Sequence, residues 1–533
     1  MKKLFVNAKI YTLDDNMSIA DAMCVFDDKI AGTGTAGQLI KEYPDAQIID
    51  LGGAAVIPGL IDSHCHFATA FDSEANGEIF IPTNIPDLLA DVAKKAASLA
   101  PGRVIYYPNT YPIRIDGGYP TLEQLDKAAP NHPVCVCGFY SMAVNSAFLK
   151  ANDITKDTQN PAGGMIMKSP DGQPTGLLLN CLNYLPEKPF SLDPEQKTEV
   201  LIRGMEAYNR AGITTALDAG TDPFFLQSMK TIIDENRQTV RVRCTLMLNG
   251  HDDRQMLDFK QRFDGVSEQY LKPVNCKTLV DGGILTGTSY MNRPYEKTMA
   301  AFGFQLENWR GLVTKDVEQL KAQIALAQRH RLSYTAHCVG SAAAHLLLDA
   351  YSETALDPAL SHSITHGDFL SKDMLEQMRG LGIGLLFQPA WHYMDACALE
   401  ETVAPEEYAT FMPYCDILNS GILAGAGSDH MAKFDKNLSQ NPYNPFLGLY
   451  NMVSGKNRTG GKPACAQTIS RNDALLYYTK KAADMTFDRE YLGSLEPGKF
   501  ADFLVLDRDY FTCQEEEIKD ITPAMTFFGG TRV

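Results

Sequence analysis

Between positions 56 and 430 one pattern recurs eight times: a short apolar run that ends on a polar or ionisable side chain. The runs occupy 56–66, 213–220, 242–250, 276–283, 332–340, 363–368, 383–391 and 422–430, and amphipathic stretches such as 316–330 and 372–380 separate several of them. Strand alternating with helix predicts an α/β protein built on a parallel sheet. Eight repeats predict closure into a (β/α)8 TIM barrel, whose chemistry collects at the C-terminal ends of the strands.

The spacing of the runs is uneven. The first starts at 56 and the second only at 213, a gap that no single βα unit fills. A large insertion, about 70–195, is therefore expected after barrel strand 1, with Gly/Pro punctuation of its own at 117–120 and 169–176. It leaves from the catalytic face and is positioned to shape a substrate pocket. Outside the barrel, 4–13 and 20–33 read as strands around a turn at Asp27 and Asp28, and 493–509 and 525–533 again lead from turn residues into apolar strand. Chain ends often lie close together, so both termini are expected to build one small β-sandwich domain. The expected organisation is 1–55 and 481–533 for the two parts of that domain, and 56–480 for the barrel with its insertion.

Charge and cysteine usage exclude several classes. A net charge of −17 repels phosphate backbones and anionic lipid heads, so nucleic acid is not an expected partner. The apolar runs fall far short of the roughly 20 residues needed to span a bilayer. Asn7, Lys9, Asp14 and Asp15 interrupt any signal-peptide core. Twelve cysteines without a CxxC pair fit a reducing compartment, and the cytoplasm is the expected location. Cys135 and Cys137 read as alternating buried thiols on a strand, with a redox pair as the alternative. The expected partner is a small-molecule substrate; monomer and homo-oligomer both stay open.

His64 and His66 lie two apart at the end of the first run, and alternate side chains on a strand point the same way, so both imidazoles can reach one metal ion. His337 and His366 end the fifth and sixth runs and Asp429 the eighth. Any one of these could be a hydrogen-bonded core or surface residue. Five of them at the rim of one barrel point instead to a shared site.

The run 56–66, His337 and His366, the Gly-Ser-Asp at 427–429 and the closing 493–509 together resemble the amidohydrolase superfamily of metal-dependent hydrolases, over nearly the whole chain. The large insertion, 163–176, the Lys277 to Gly282 stretch and the Gln388-Pro389 pair resemble the branch that includes N-substituted formamide deformylases. The resemblance implies that His64, His66, His337 and His366 are metal ligands and Asp429 both ligand and catalytic proton shuttle. It makes Lys277 a candidate carbamylated bridge between two metals. Neutral imidazoles and a carboxylate suit one or two divalent ions such as Zn²⁺, with a position open for water. Such an ion brings a water to a pKa of about 7 and polarises a carbonyl, while Asp429 can move the proton to a departing nitrogen. For Lys277 a plain salt bridge to Asp281 is the alternative.

Substrate contacts depart from that branch. Its members usually carry Asp-Gly-His-Ser before Val-Asn-Ser, whereas 138–146 here places Tyr140 at the histidine, a hydroxyl donor that does not titrate near neutrality. Trp391, His392 and Tyr393 follow strand 7, and Tyr290, Arg293 and Tyr295 follow strand 4. Tyr140, Tyr290, Arg293 and Trp391 are the expected substrate-binding residues, an aromatic pocket with one fixed cation for an N-acyl or aromatic substrate bearing a carboxylate. The expected reaction is hydrolysis of a C–N bond in a small amide, formamide or cyclic amide. The alternatives are deamination or ester/lactone hydrolysis by the same superfamily, or a non-catalytic small-molecule-binding regulator. Deamination usually needs a Glu shortly after the fifth-strand His, and 338–345 contains none.

Overall fold

The computed structural model describes residues 2–75, 80–187, 192–248, 250 and 252–533; position 249, inside the third run, lies outside them. Each of the eight runs overlaps one strand of a single parallel sheet: β1 (Leu60–Cys65), β2 (Ile213–Asp218), β3 (Arg241–Met247), β4 (Leu271–Leu279, which starts five residues before its run), β5 (Ser333–Cys338), β6 (Ser363–His366), β7 (Gly384–Phe387) and β8 (Ala424–Ala426). Every strand pairs in parallel with the next, from β1 to β8. The ring closes just past the strands. Ser428 and Asp429 donate backbone N–H groups to the His64 carbonyl at 3.1 and 2.7 Å, and His66 N–H donates to the His430 carbonyl at 3.0 Å. The closing seam is thus made by the same segments that carry His64, His66 and Asp429.

Local chemistry sets the helices between strands. The helix Val317–Arg329 starts at a capping box between Asp316 and Gln319. Lys372–Leu381 starts at Ser371, whose hydroxyl accepts from Met374 N–H, and stops at Gly382 with φ 70°. Such caps satisfy orphan N–H groups, and the left-handed residue ends the helix. Long apolar side chains of these helices, among them Leu320, Ile324, Met374 and Met378, then bury against the barrel.

Between β1 and β2 the chain builds a separate five-stranded sheet of Ile105–Tyr107, Val134–Cys137, Ser141–Val144, Met165–Lys168 and Pro174–Leu179. Its hairpin from Val134 to Val144 turns at Gly138, Phe139 and Tyr140, and this tip reaches the barrel mouth. Strands from both ends of the chain share one further sheet, in which Phe503–Leu506 runs antiparallel to Gln47–Pro58. Its core packs Phe503 on Phe527 with ring centroids 4.3 Å apart and Phe5 edge-on to both. None of the twelve cysteines is disulfide-bonded, and Cys135 and Cys137 are buried on their strand. Among the described residues no helix is long and apolar enough to cross a membrane.

Candidate metal centre

His64 is the fifth residue of β1 and His66 follows its end, so strand alternation sends both rings into the mouth of the barrel. Their Nε2 atoms lie 3.4 and 3.3 Å from Asp429 Oδ1. One ligand atom from each of the three residues falls within 4.8 Å of the others. Asp429 has φ 53°, a left-handed conformation that needs support from its surroundings. The support is Asn441, whose Nδ2 donates to the Asp429 carbonyl at 2.7 Å and to Oδ2 at 3.1 Å. Asp62 stitches the same seam: it accepts from Ser428 N–H and Oγ–H and from His64 N–H, and burial pushes its carboxyl up to about 7.

His337 is the penultimate residue of β5 and His366 ends β6, with ring centroids 4.6 Å apart; His366 also lies 5.1 Å from the His64 ring. His337 Nε2–H donates to the Gly282 carbonyl at 3.0 Å, which leaves the Nδ1 lone pair unshared. His366 Nδ1–H donates to Gln388 Oε1 at 2.7 Å, and Gln388 is itself fixed by its Nε2–H, which donates to the Leu386 carbonyl at 3.2 Å. That leaves His366 Nε2 as acceptor. Such outer partners fix tautomer and ring orientation in metal sites. His366 also has a left-handed backbone, φ 75°. Lys277, on β4, sits with Nζ 3.2 Å from His64 Nε2. Among the described residues it has no salt-bridge partner. Asp281 instead accepts backbone N–H groups of Val339, Gly340 and Tyr290.

The charge states follow from burial. Burial, helped by the Lys277 charge, pushes His64 and His337 down to about 3, and burial beside His337 holds His366 well below the usual imidazole value. All three are neutral. Burial alone would raise Asp429, but its hydrogen bonds to His64 and His66 outweigh it and hold the carboxyl well below the usual range. Burial brings Lys277 down to about 8, although Asp429 and Asp218 pull the other way. Neutral nitrogen donors around one carboxylate are the donor set of a divalent transition metal, and the residues fit such an ion.

A cavity of about 560 Å³ opens above these residues. Tyr140 and Trp391 line it: the Tyr140 ring lies 4.8 Å from that of His337, and Trp391 stacks on His366 at 4.9 Å. Tyr290 and Arg293 do not line it, contrary to the expectation from sequence. Tyr290 is pinned beside the barrel by its N–H bond to Asp281, and a Cβ on Gly340 would meet its carbonyl oxygen at 2.1 Å. Arg293 is exposed, its backbone N–H held by Glu407. The cation expected for a substrate carboxylate is therefore not in the cavity. His392 is bonded to Asn451 and Cys465 instead, and His430 to Tyr208 and the Lys433 carbonyl. Sequence reasoning missed Asn441 and Phe139, the latter lining the cavity at the hairpin tip. An Asn beyond strand 8 or a Phe in a turn carries no signal by itself.

Comparison with known proteins gives the family. The model of the amidohydrolase family matches residues 47–533. The chain is 26% identical to the protein LONG AFTER FAR-RED 3 of Arabidopsis thaliana, over 99% of this chain and 91% of that one. It is 24% identical to the N-substituted formamide deformylase of Arthrobacter pascens, over 99% and 97% of the two chains. Among solved structures, an uncharacterised metal-dependent hydrolase from Pyrococcus horikoshii superposes with a TM-score of 0.70 at 20% identity, covering 97% of this chain and 99% of that one.

Proposed function

Because the chain belongs to the amidohydrolase family, and is a hydrolase of that family, we propose that it cleaves the C–N bond of a small amide, formamide or cyclic amide. The observation that carries this reading is the convergence of His64, His66 and Asp429 within 4.8 Å, with the free nitrogens of His337 and His366 beside them. Those five residues would hold one or two divalent ions, zinc being the best match to the donors, with Lys277 carbamylated between them when two are bound. When bound, the metal supplies a Lewis acid for the carbonyl and a water of lowered pKa.

Asp429, its Oδ2 held by Asn441, accepts the proton of the attacking water on its carboxylate and delivers it to the departing nitrogen. Tyr140, whose hydroxyl burial keeps protonated, donates toward the oxygen that gains charge at the carbonyl. The cavity above them surrounds the reacting bond with mostly apolar and aromatic walls. The relative from Arthrobacter pascens, named an N-substituted formamide deformylase, supports C–N chemistry. Deamination lacks its acid, since 338–345 contains neither Asp nor Glu. Twelve unpaired cysteines support a reducing, cytoplasmic setting.

Chelation tests the reading. Turnover of a panel of N-acyl amines should vanish when the metal is stripped and return when Zn²⁺ is added back. Turnover that survives stripping would overturn it.

A further inference from the structure

On the wall that carries Asp429, one hydroxyl has only a weak partner. Tyr111 belongs to the insertion, immediately before the short helix Pro112–Arg114, and lines the cavity while only 8% exposed. Among the described residues its hydroxyl has one hydrogen-bond partner, Met431 Sδ at 3.6 Å. A thioether is a weak acceptor, and a phenol that donates to one keeps both oxygen lone pairs unused. Burial, and after it the Asp429 charge, push the hydroxyl up, so it stays protonated. Met431 lies two residues beyond Asp429 and lines the same cavity.

The Tyr111 ring is fixed from behind. The Arg114 guanidinium lies 5.4 Å from its centre, is bidentate to Asp395 at 2.8 and 2.6 Å, and donates to the Gln440 carbonyl at 2.6 Å. Asp395 belongs to the helix Pro389–Leu399 that also carries Trp391, and Gln440 precedes Asn441, the support of Asp429. The insertion is thus tied to two barrel elements at the point where Tyr111 faces inward.

The position of this hydroxyl gives it a function. Tyr140 sits beside His337 of β5, and its hydroxyl feels the Asp281 charge more than that of Asp429, whereas Tyr111 feels Asp429 before any other carboxylate. β5 and β8 are three strands apart round an eight-stranded ring, so the two hydroxyls enter from well-separated walls. In a trans amide the N–H points away from the carbonyl oxygen. An amide whose carbonyl oxygen meets Tyr140 therefore sends its N–H toward the Asp429 wall. Asp429 is not its acceptor: Oδ1 lies against His64 and His66, Oδ2 takes Asn441, and with the water's proton on it the carboxyl is a donor. Tyr111 supplies the lone pairs.

We infer that Tyr111 is a further substrate-contacting residue, whose hydroxyl oxygen accepts the N–H of the scissile amide. This rests on the hydrolase reading above and adds a residue and a selectivity to it, for amides that keep an N–H over those fully substituted on nitrogen. As the carbonyl carbon becomes tetrahedral the nitrogen gains a lone pair, and with its N–H on Tyr111 that pair turns toward Asp429. The nitrogen takes the Asp429 proton and leaves with the electrons of the C–N bond.

The test reads binding apart from turnover. N-butylmethanesulfonamide keeps the N–H and presents tetrahedral sulfonyl oxygens, but has no acyl carbon to attack; its N-methyl homologue lacks the N–H. Dissociation constants of both from the metal-loaded enzyme, by calorimetry, give the preference for N–H. In the native protein it should be about tenfold, and in Tyr111→Phe it should fall by about fivefold to tenfold, the range of one hydrogen bond. Any bias of the metal itself cancels between the two enzymes. Tyr111→Phe should keep the native melting temperature, since the hydroxyl gives up only a thioether contact. The same preference in both enzymes, or its loss together with a lowered melting temperature, overturns the inference. In turnover, the ratio of kcat/KM for N-butylacetamide over N-butyl-N-methylacetamide should fall by the same factor in the variant, through the N–H amide alone; an unchanged ratio also overturns it. If the native enzyme cleaves no N-acyl amine at all, the hydrolase reading fails, while the sulfonamide preference still decides the role of Tyr111.

Discussion

At the N-terminal end of the barrel, Arg241 and Arg243 lie buried at the start of β3, each bidentate to an aspartate: Arg241 to Asp502 at 2.7 and 3.0 Å, Arg243 to Asp488 at 2.7 and 3.0 Å. Lys272 joins Asp488 at 2.8 Å. At the C-terminal end, His64 and His66 share Asp429, with Lys277, His337 and His366 beside them, and the backbones of His366 and Asp429 are left-handed. Both ends bury ionisable groups, and they treat them oppositely. Fully paired charges need nothing further and hold strands to the terminal sheet, whereas unshared lone pairs facing inward are costly to bury unless a cation receives them. The difference separates a structural end of the barrel from a reactive one.

Breaking the reactive end should give the largest effect. Asp429→Asn keeps size and the Asn441 contact but removes the proton acceptor, so turnover should fall by about 10² to 10⁴-fold while the protein stays folded. Single-turnover kinetics beside a thermal melt measure both. Near-normal turnover would contradict the assigned proton path.

Breaking the structural end should do the reverse. Asp488→Asn leaves Arg243 buried without its counter-charge and should cost about 3–5 kcal/mol of stability at neutral pH, with kcat preserved in the protein that remains folded. Burial would raise the Asp488 carboxyl, but the Arg243 charge outweighs it and the folded value lies below the ordinary 3.8. A depressed carboxyl stabilises fully above its unfolded value and loses that contribution as pH falls through the folded one. The gap between the native and Asp488→Asn denaturation curves should therefore hold steady near neutrality and narrow only below about pH 4. A gap that widens with acid would contradict this pairing.

Lys277 sharpens the comparison, being a cation placed at the unpaired end. If it is a carbamylated bridge, Lys277→Ala should lose the second metal and about 10 to 100-fold in activity, with partial rescue by a short carboxylic acid. Metal analysis beside a melting curve measures the outcome; an unchanged metal count with lowered stability would make it a structural lysine. The smallest effect is expected for Asn441→Ala, which removes one oriented donor from Asp429 and should reduce kcat about 5 to 10-fold with little change in KM. An unchanged kcat would show that Asp429 is held by its backbone alone.

How much of this was legible in the sequence follows from how local each signal is. All eight barrel strands were, because each is a short apolar run closed by a polar residue, and His64, His66, His337, His366 and Asp429 sit at or just past the strand ends. The turn at Asp27 and the pairing of the two termini were legible for the same reason. Contacts made by the loops beyond the strands and by the insertion were not. Arg293 follows β4 by position, yet the loop is tied down by Tyr290 to Asp281 and by Arg293 to Glu407, off the cavity wall. Asn441 meets Asp429 through a loop whose path no periodicity encodes, and Phe139 gives no hint of a left-handed turn because phenylalanine does not favour one.

Metal content measured on the purified chain tests the central claim most directly. Elemental analysis of the native protein and of the His64→Ala/His66→Ala double variant, each with a circular-dichroism spectrum, should give one or two divalent ions per native chain and none bound by this pair in the variant, with the barrel signal unchanged. Full metal retention in a folded double variant would contradict the assignment of the barrel mouth as the metal centre.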